Sequence, residues 1–251
     1  MKECSICITH YNNRSTVRAS LESILQQIND DFEVIIVDNL STDGSREILK
    51  EYEAKGKIQL IEKRCSRGLG RNIAYESSNG RYILSNLDMD DIFLPKISVL
   101  LDNYRRLAEG YVLRIIQSTP VGWHGTNTAT TISTRESIRR IGTWKDINWS
   151  EDWDLWHRAS KLGLYRWAEF DIIEKANEHF ERKGFPAYLI NRYRRMVCMT
   201  KVGKKPEDLN EFTLLYRLIY LAARASVPYV WHLDSSFRAL SKDYKIQKFA
   251  S

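Results

Sequence analysis

The sequence predicts an α/β fold with a mostly parallel central sheet flanked by helices, followed by a helical C-terminal extension. Between residues 4 and 110, short continuous apolar runs alternate with segments whose apolar residues recur every three or four positions. Continuous apolar runs are typical of parallel strands buried on both faces, and their alternation with helices is typical of a layered domain. The chain has 251 residues, 43% hydrophobic and 28% charged, enough for one large soluble domain with an appendage.

Four apolar runs are predicted as strands: CSICIT (4–9), FEVIIVD (32–38), IQLIEK (58–63) and RYILSNL (81–87). A first helix between the first two runs has its apolar residues on one face. A second helix opens at STDGS with Ser41 or Thr42 as its cap, and a glycine-containing loop and short helix follow the third strand. The first helix's apolar face is formed by Val17, Leu21, Ile24, Leu25 and Ile28.

The second part of the chain has a looser pattern. Pro95 is expected to start a helix that Gly110 stops, and residues 152–162 are also predicted as a helix. The segments YVLRIIQ, TNTATTIST and LYRWAEFDII are predicted as strands, and the chain from about residue 185 as mostly helix. The inner face of the helix after Pro95 is expected to consist of Ile97, Leu100, Leu101, Tyr104 and Leu107.

Ligands of an open parallel sheet bind beyond the carboxyl ends of its strands. Here those ends are THYN after the first strand, DN after the second, CSRGLGRN after the third and DMDD after the fourth. We therefore expect these four places to line one crevice that combines carboxylates, an arginine, an aromatic ring and glycines.

Three carboxylates, Asp88, Asp90 and Asp91, follow the fourth strand directly. Like charges this close raise one another's pKa unless a cation lies between them. Carboxylate oxygens suit Mg²⁺ or Mn²⁺, which bind one or two carboxylates together with substrate phosphates. We predict a functional role for Asp88 and Asp90, whereas Asp91 is interpreted as the cap of the next helix.

Five motifs in order give the chain a resemblance to glycosyltransferase family 2: ITHYN, VIIVDNLSTDGS, GLGRNIAYESSNGRYIL, LDMDD and SEDWDLWHRASKLG. The resemblance covers about residues 4–180. It implies the GT-A fold, a nucleotide-sugar donor, a Mn²⁺ or Mg²⁺ cofactor and inversion at the anomeric carbon. The signature QxxRW of processive relatives is absent, which favours transfer of a single sugar.

On the donor side, the resemblance implies that Thr9 and Tyr11 flank the nucleotide base, with the ring stacked on it. It implies that Asp38 hydrogen-bonds the base, usually uracil, and that Arg71 lies near base and diphosphate. The second strand ends in Asp-Asn where many relatives have two acids, which removes one negative charge from the place where the resemblance implies the base contact.

For the reacting groups, the resemblance assigns LDMDD as a DxD motif in which Asp88 faces the ribose and Asp90 binds the metal ion. It assigns Asp152 as the general base for the acceptor hydroxyl, with Glu151 and Trp153 lining the acceptor site. His179 matches a histidine that is a metal ligand in some relatives; a structural histidine is the alternative.

The domain organisation predicted is a catalytic domain over 1–182, with a nucleotide-sugar half of about 1–92 and an acceptor half of about 93–182. Residues 183–251 form the helical basic extension. The whole chain carries +6, and the 14 Lys/Arg and 5 Asp/Glu from Arg182 onward give that part +9. Basic flanks with aromatic residues suit a peripheral contact with an anionic membrane; core packing or a homodimer through the C-terminal helices is the alternative.

The function predicted is a metal-dependent, inverting transfer of one sugar, from a UDP-sugar, to a hydroxyl of a saccharide or lipid-linked acceptor. A catalytically degenerate binding or scaffolding subunit and a sugar nucleotidyltransferase are the alternatives; the latter class usually has a glycine-rich first loop, which THYNNRST is not. We expect no nucleic-acid partner. No apolar run reaches the length of a membrane span, and a cytoplasmic location, at most peripheral at the inner face of the membrane, is expected.

Overall fold

The computed structural model describes residues 2–121, 128–148 and 150–176, and in the extension Tyr193, Met196, Val197, Thr200 and residues 218, 219 and 221–225. Nine strands lie in the described part: β1 Cys4–His10, β2 Phe32–Asp38, β3 Gln59–Glu62, β4 Tyr82–Leu87, β5 Asp91–Phe93, β6 Val112–Ile116, β7 Thr131–Thr134, β8 Tyr165–Glu169 and β9 Ile173–Ala176. The helices there are α1 Val17–Leu25, α2 Ser45–Ala54, α3 Arg67–Ser77, α4 Ile97–Leu107, α5 Arg135–Ile141 and α6 Glu151–Lys161.

Seven strands form the central sheet in the order β3-β2-β1-β4-β7-β6-β8. The strands β3, β2, β1 and β4 run parallel to one another, with Cys4 opposite Phe32 and Tyr82. β7 runs antiparallel to both of its neighbours, and β8 returns parallel to β6. The predicted mostly parallel sheet is thus confirmed, with its antiparallel strand beyond β4. β5 and β9 pair separately.

Helices cover both faces of this sheet, which is why its strands are apolar without alternation. On one face Ile6 and Ile36 pack in a cluster with residues of α1, α2 and α4. On the other face Ile35 and Ile83 pack with residues of α3, α5 and α6, among them Trp156, which is fully buried. The two layers leave the carboxyl ends of β1, β2 and β4 uncovered by helices.

Several boundaries differ from the sequence prediction. The glycines expected in a loop lie inside α3, because a Cβ at Gly70 would approach the Cγ2 of Thr9 in β1 to 2.7 Å, so only glycine permits this close packing. LYRWAEFDII contains β8 and then a turn into β9 of the second sheet. Of the strand predicted over TNTATTIST (126–134), the described residues 128–134 form a strand only at Thr131–Thr134. Leu107, expected on the inner face of α4, is 46% exposed.

The described residues of the extension are all helical, as predicted. Met196, Val197 and Ala223 are buried, whereas Leu218 and Leu221 are each 57% exposed. No helix in the described part of the chain is long and apolar enough to cross a membrane.

Candidate active site

A cavity of about 520 Å³ lies beyond the carboxyl ends of β1, β2 and β4, where the sequence predicts a crevice. The start of α3 closes one side of it. Its lining combines an aromatic ring, an arginine, amides and carboxylates: Thr9, His10, Tyr11, Asn13, Val37, Asn39, Cys65, Ser66, Arg67, Asp88, Met89, Asp90 and Asn148. Of the predicted donor residues, the structure brings together Thr9, Tyr11, Asp88 and Asp90.

The acidic cluster consists of Asp88, Asp90 and Asp91, whose nearest carboxylate oxygens lie within 4.8 Å of one another. Asp88 and Asp90 are partly exposed at the cavity, whereas Asp91 is 2% exposed. Asp91 is not the cap of the next helix, since it is the first residue of β5 and pairs with Ala176. Three hard oxygen donors at this spacing fit a Mg²⁺ or Mn²⁺ ion.

A β-bulge at Asn86 explains how an apolar strand ends in acids. Ser85 pairs with Cys7 and Leu87 with Ile8, so Asn86 is an extra residue, with a φ of 62°. The bulge places Leu87 and then Met89 in the core, and the acids alternate with them toward the cavity. The Thr16 hydroxyl donates to the Met89 carbonyl at 2.9 Å, which fastens this segment to α1.

Tyr11 is a large ring exposed at the cavity wall, with 54% of its surface accessible. The loop that carries it is tied to the loop after β2: the backbone N–H of Asn12 donates to Ser41 Oγ at 2.9 Å, and Thr42 donates to Asn12 Oδ1 at 2.8 Å. An exposed ring on a fixed loop is a suitable stacking platform for a nucleobase.

Asp38 lies beneath the cavity, and its side chain is fully buried. His10 Nδ1 donates to Oδ1 at 2.8 Å, and Ser41 donates to both carboxylate oxygens. Burial alone would raise the pKa of Asp38, but the hydrogen bonds from His10 and Ser41 hold it below its usual value. Asn39, the next residue, lines the cavity instead.

Arg71 is also placed away from the cavity wall. Its side chain is 4% exposed and its Nη1 donates to Glu151 Oε1. Arg67, one helical turn earlier, lines the cavity, with 49% of its side chain exposed. Burial lowers the pKa of Arg67, but the negative charges around it outweigh this and raise it. Those charges belong to Glu151, Asp88, Asp152 and Asp90.

The start of α3 offers little to an anion through its backbone, although helix starts commonly bind phosphate. The N–H of Arg67 donates to Asn148 Oδ1, that of Gly68 to the Ile147 carbonyl, and that of Leu69 to Ser66 Oγ. Three amides of the first turn are therefore already used, so the Arg67 side chain is the cationic group that α3 presents.

The predicted acceptor-side residues form the first turn of α6. Asp152 is partly exposed there, and its Oδ1 accepts from the Trp153 N–H at 2.8 Å. Glu151 is 1% exposed, and burial raises its pKa against the opposing effect of Arg71 and Arg67. Trp153 packs edge-on against Trp156, with ring centroids 5.6 Å apart. His179 lies outside the described residues.

Sequence reasoning missed Arg67 and Asn148 at the cavity, whereas Asn39 lies where the rule for strand ends predicted it. For Arg67 a signal existed, because it precedes Arg71 by one helical turn and both follow the same strand. It was missed because the glycines suggested a loop, in which that periodicity does not apply. No local pattern marks Asn148, which reaches the cavity through a loop distant in sequence.

Comparison with known proteins identifies the family. The profile described as Glycosyl transferase family 2 matches residues 5–166. The putative teichuronic acid biosynthesis glycosyltransferase TuaG of Bacillus subtilis is 37% identical over 90 residues, 35% of this chain and 35% of TuaG. The UDP-Glc:alpha-D-GlcNAc-diphosphoundecaprenol beta-1,3-glucosyltransferase WfaP of Escherichia coli is 37% identical over 100 residues, 39% of each chain. These matches thus span little more than a third of either relative.

Two matches extend over most of the chain. The putative glycosyltransferase EpsE of B. subtilis is 27% identical over 218 residues, covering 72% of this chain and 76% of EpsE. S. aureus TarS in complex with UDP superposes with a TM-score of 0.60 at 14% identity, over 92% of this chain and 91% of TarS.

Mannosyltransferase PcManGT of Pyrobaculum calidifontis, in complex with GDP-Man and Mn²⁺, superposes with a TM-score of 0.58 at 19% identity, over 95% and 76% of the two chains. At these identities the superpositions establish the fold alone. The fold is that of GT-A transferases, and the match over residues 5–166 shows that the chain belongs to glycosyl transferase family 2.

Proposed function

We propose that the protein is a metal-dependent, inverting glycosyltransferase that moves one sugar from a UDP-sugar to a hydroxyl of a saccharide or lipid-linked acceptor. One observation carries the proposal: a single cavity combines the exposed Tyr11 ring, the Arg67 guanidinium and the acidic cluster. These are the groups that a base, a diphosphate and a divalent cation require.

On the donor side, Tyr11 stacks on the base, Asn39 contacts its edge and Asp88 faces the ribose. Asp38 supports these groups from below through His10 and Ser41. Relatives of this fold are seen with UDP and with GDP-Man, so the fold alone does not select the base. UDP is proposed because WfaP and WfgD of E. coli are named as using UDP-Glc.

Charge develops on the leaving diphosphate as the glycosidic bond breaks. Arg67 is the residue of this chain that stabilises that charge, and Asp88 and Asp90 would hold the cation. When bound, Mg²⁺ or Mn²⁺ would supply Lewis-acid stabilisation of the same phosphates. Fixed charges that face a developing anion in this way lower the barrier without reorganisation of water.

On the acceptor side, Asp152 is the proposed general base, which takes the proton of the attacking hydroxyl. Asp152 is not among the residues that line the donor cavity, but its negative charge contributes to the raised pKa of Arg67 together with those of Asp88 and Asp90, which supports a location near that side chain. Attack by a hydroxyl activated opposite the leaving group inverts the anomeric carbon. Trp153 and other residues of the acceptor half would line the acceptor site.

A lipid-linked acceptor is proposed because WfaP and WfgD are named for a diphosphoundecaprenol substrate. Such an acceptor would bring the basic extension to an anionic membrane surface, where the exposed Leu218 and Leu221 are suited to contact the lipid. Co-sedimentation with anionic liposomes at low and high salt tests this contact; protein that stays in the supernatant at low salt contradicts it.

The proposed function is tested by a thermal-shift screen of UDP-glucose, UDP-GlcNAc, GDP-mannose and dTDP-glucose, each with Mn²⁺ and with EDTA. A donor present at about 100 times its Kd stabilises by about 2.7 kcal/mol. The donor that stabilises the protein in the presence of Mn²⁺ is then assayed for transfer to GlcNAc-diphosphoundecaprenol and to free saccharides. Absence of any Mn²⁺-dependent stabilisation by the four nucleotide sugars contradicts the proposal.

A further inference from the structure

Two arginines one turn apart on α3 lie in opposite environments. Arg67 lines the cavity, whereas the Arg71 side chain is 4% exposed and donates to Glu151. The two arginines therefore differ in burial and in contact with the cavity. The family resemblance nevertheless places the donor-binding arginine at Arg71. Arg71 therefore contacts α6, and its role follows from that contact rather than from contact with the nucleotide.

Glu151, the first residue of α6, lies close to both arginines. Its Oε1 accepts from Arg71, and Arg67 Nε lies 3.9 Å from the same oxygen. Its Oε2 is buried without a hydrogen-bond partner among the described residues. A buried carboxylate of this kind is stabilised by its arginine, because burial keeps away the solvent that could otherwise replace that partner.

The N-cap of α6 is atypical. Ser150 at the N-cap position has a left-handed φ of 63°, and its side chain makes no cap hydrogen bond. The pair between Glu151 and Arg71 instead joins this turn to α3, the helix whose first turn carries Arg67. Asp152 follows Glu151 directly, so this connection between α6 and α3 lies immediately beside it.

We infer that the buried Arg71–Glu151 pair is a clamp that sets the position of Asp152 relative to the donor side of the cavity. Arg71 and Glu151 are then positioning residues rather than ligands of the donor or the acceptor. The inference rests on the proposed function, because it takes Asp152 as the general base. A misplaced base lowers turnover, whereas the nucleotide site, built on β1, β2 and Arg67, remains intact.

The test compares three variants of the full chain: Arg71→Met, Glu151→Gln and, as the matched control on the same helix, Arg67→Met. Kd for UDP with Mn²⁺ is measured by calorimetry, and kcat by UDP release with the donor and acceptor found above. We expect the two clamp variants to lose about tenfold or more in kcat while Kd changes less than about threefold. Arg67→Met is expected to weaken UDP binding about tenfold or more. If Arg71→Met weakens UDP binding as much as Arg67→Met, or if neither clamp variant lowers kcat, the inference is overturned.

A second arm uses Asp152→Asn. In that background Glu151→Gln should cost no further turnover, because the residue it positions is already disabled. A full additional loss overturns the clamp and assigns Glu151 a separate role. If Asp152→Asn alone leaves transfer intact, the general base of the proposed function is wrong; if Asp152→Asn lowers kcat but neither Arg71→Met nor Glu151→Gln does so in the parent chain, the clamp alone is wrong.

Breaking one partner of a buried ion pair can prevent folding, so circular dichroism and thermal unfolding accompany each variant. Arg71→Met/Glu151→Leu removes both charges and fills the space with apolar atoms, a change that buried pairs commonly tolerate. In this double variant a loss of kcat with unchanged Kd supports the inference, and a kcat equal to that of the parent overturns it.

Discussion

The proposed nucleotide half (about residues 1–92) and the proposed acceptor half (about residues 93–182) position their functional groups in different ways. In the nucleotide half, Tyr11 and the acidic cluster follow directly from the ends of parallel strands of one sheet. In the acceptor half, Asp152 stands on the first turn of a helix. Strand ends are fixed by backbone hydrogen bonds in register, whereas a helix start is fixed by the side chains that reach it. The first half is therefore determined by topology and the second by individual contacts.

The largest expected effect breaks the nucleotide half at its acidic cluster. Asp90→Ala removes one of three carboxylates within 4.8 Å, and we expect it to abolish transfer and to remove the Mn²⁺-dependent stabilisation by UDP. Activity and thermal shift with Mn²⁺ and EDTA are the measurements. Asp102→Ala, an exposed acid on α4, is the control. An Asp90→Ala enzyme fully active in EDTA contradicts the cation site.

The next effect breaks the acceptor half alone. Asp152→Asn keeps the shape of the side chain and removes its ability to take a proton, so we expect turnover to fall by about 10² to 10⁴. Because Asp152 is not among the residues that line the nucleotide cavity, the Kd for UDP with Mn²⁺ is expected to stay near that of the parent. Collapse of UDP binding with near-normal residual turnover makes Asp152 a donor ligand and places the base elsewhere.

A smaller effect concerns the floor of the nucleotide half. Asp38→Asn weakens the hydrogen bonds from His10 and Ser41 to a buried carboxylate, and we expect it to lower the free energy of unfolding by about 1.5–3 kcal/mol at neutral pH. Since folding lowers the pKa of Asp38, its contribution is present above the pKa of the unfolded chain and is lost as the pH falls below it. Urea unfolding at pH 7 and pH 3 checks this; the difference between parent and variant should shrink at pH 3.

The smallest expected effect concerns the exposed ring of Tyr11 at the cavity wall. Tyr11→Ala removes the exposed stacking surface and is expected to weaken UDP binding by about 1–3 kcal/mol, with little change in fold stability. Tyr11→Phe keeps the ring and is the matched control, which should bind UDP nearly as the parent does. Equal losses in both variants would mean that the hydroxyl, rather than the ring, contacts the nucleotide.

The same division explains what the sequence could predict. Continuous apolar runs identified β1 to β4, and the rule for strand ends located the cavity and the acids around it. The sequence could not show that Arg71 contacts α6 or that Asp38 lies beneath the cavity. Both placements depend on partners distant in sequence, Glu151 for Arg71 and His10 for Asp38. The left-handed bulge at Asn86, which re-aims the acids, has no local signature in an apolar run.

The occupied start of α3 has a consequence for the end of the reaction. Because the amides of Arg67, Gly68 and Leu69 already have partners, the diphosphate of the spent nucleotide is expected to be held chiefly by the cation and one guanidinium. Product inhibition by UDP is then expected to follow the free divalent-ion concentration, and a chelator to accelerate UDP dissociation in a stopped-flow experiment. Metal exchange at the acidic cluster would in this way set how soon the protein accepts its next donor.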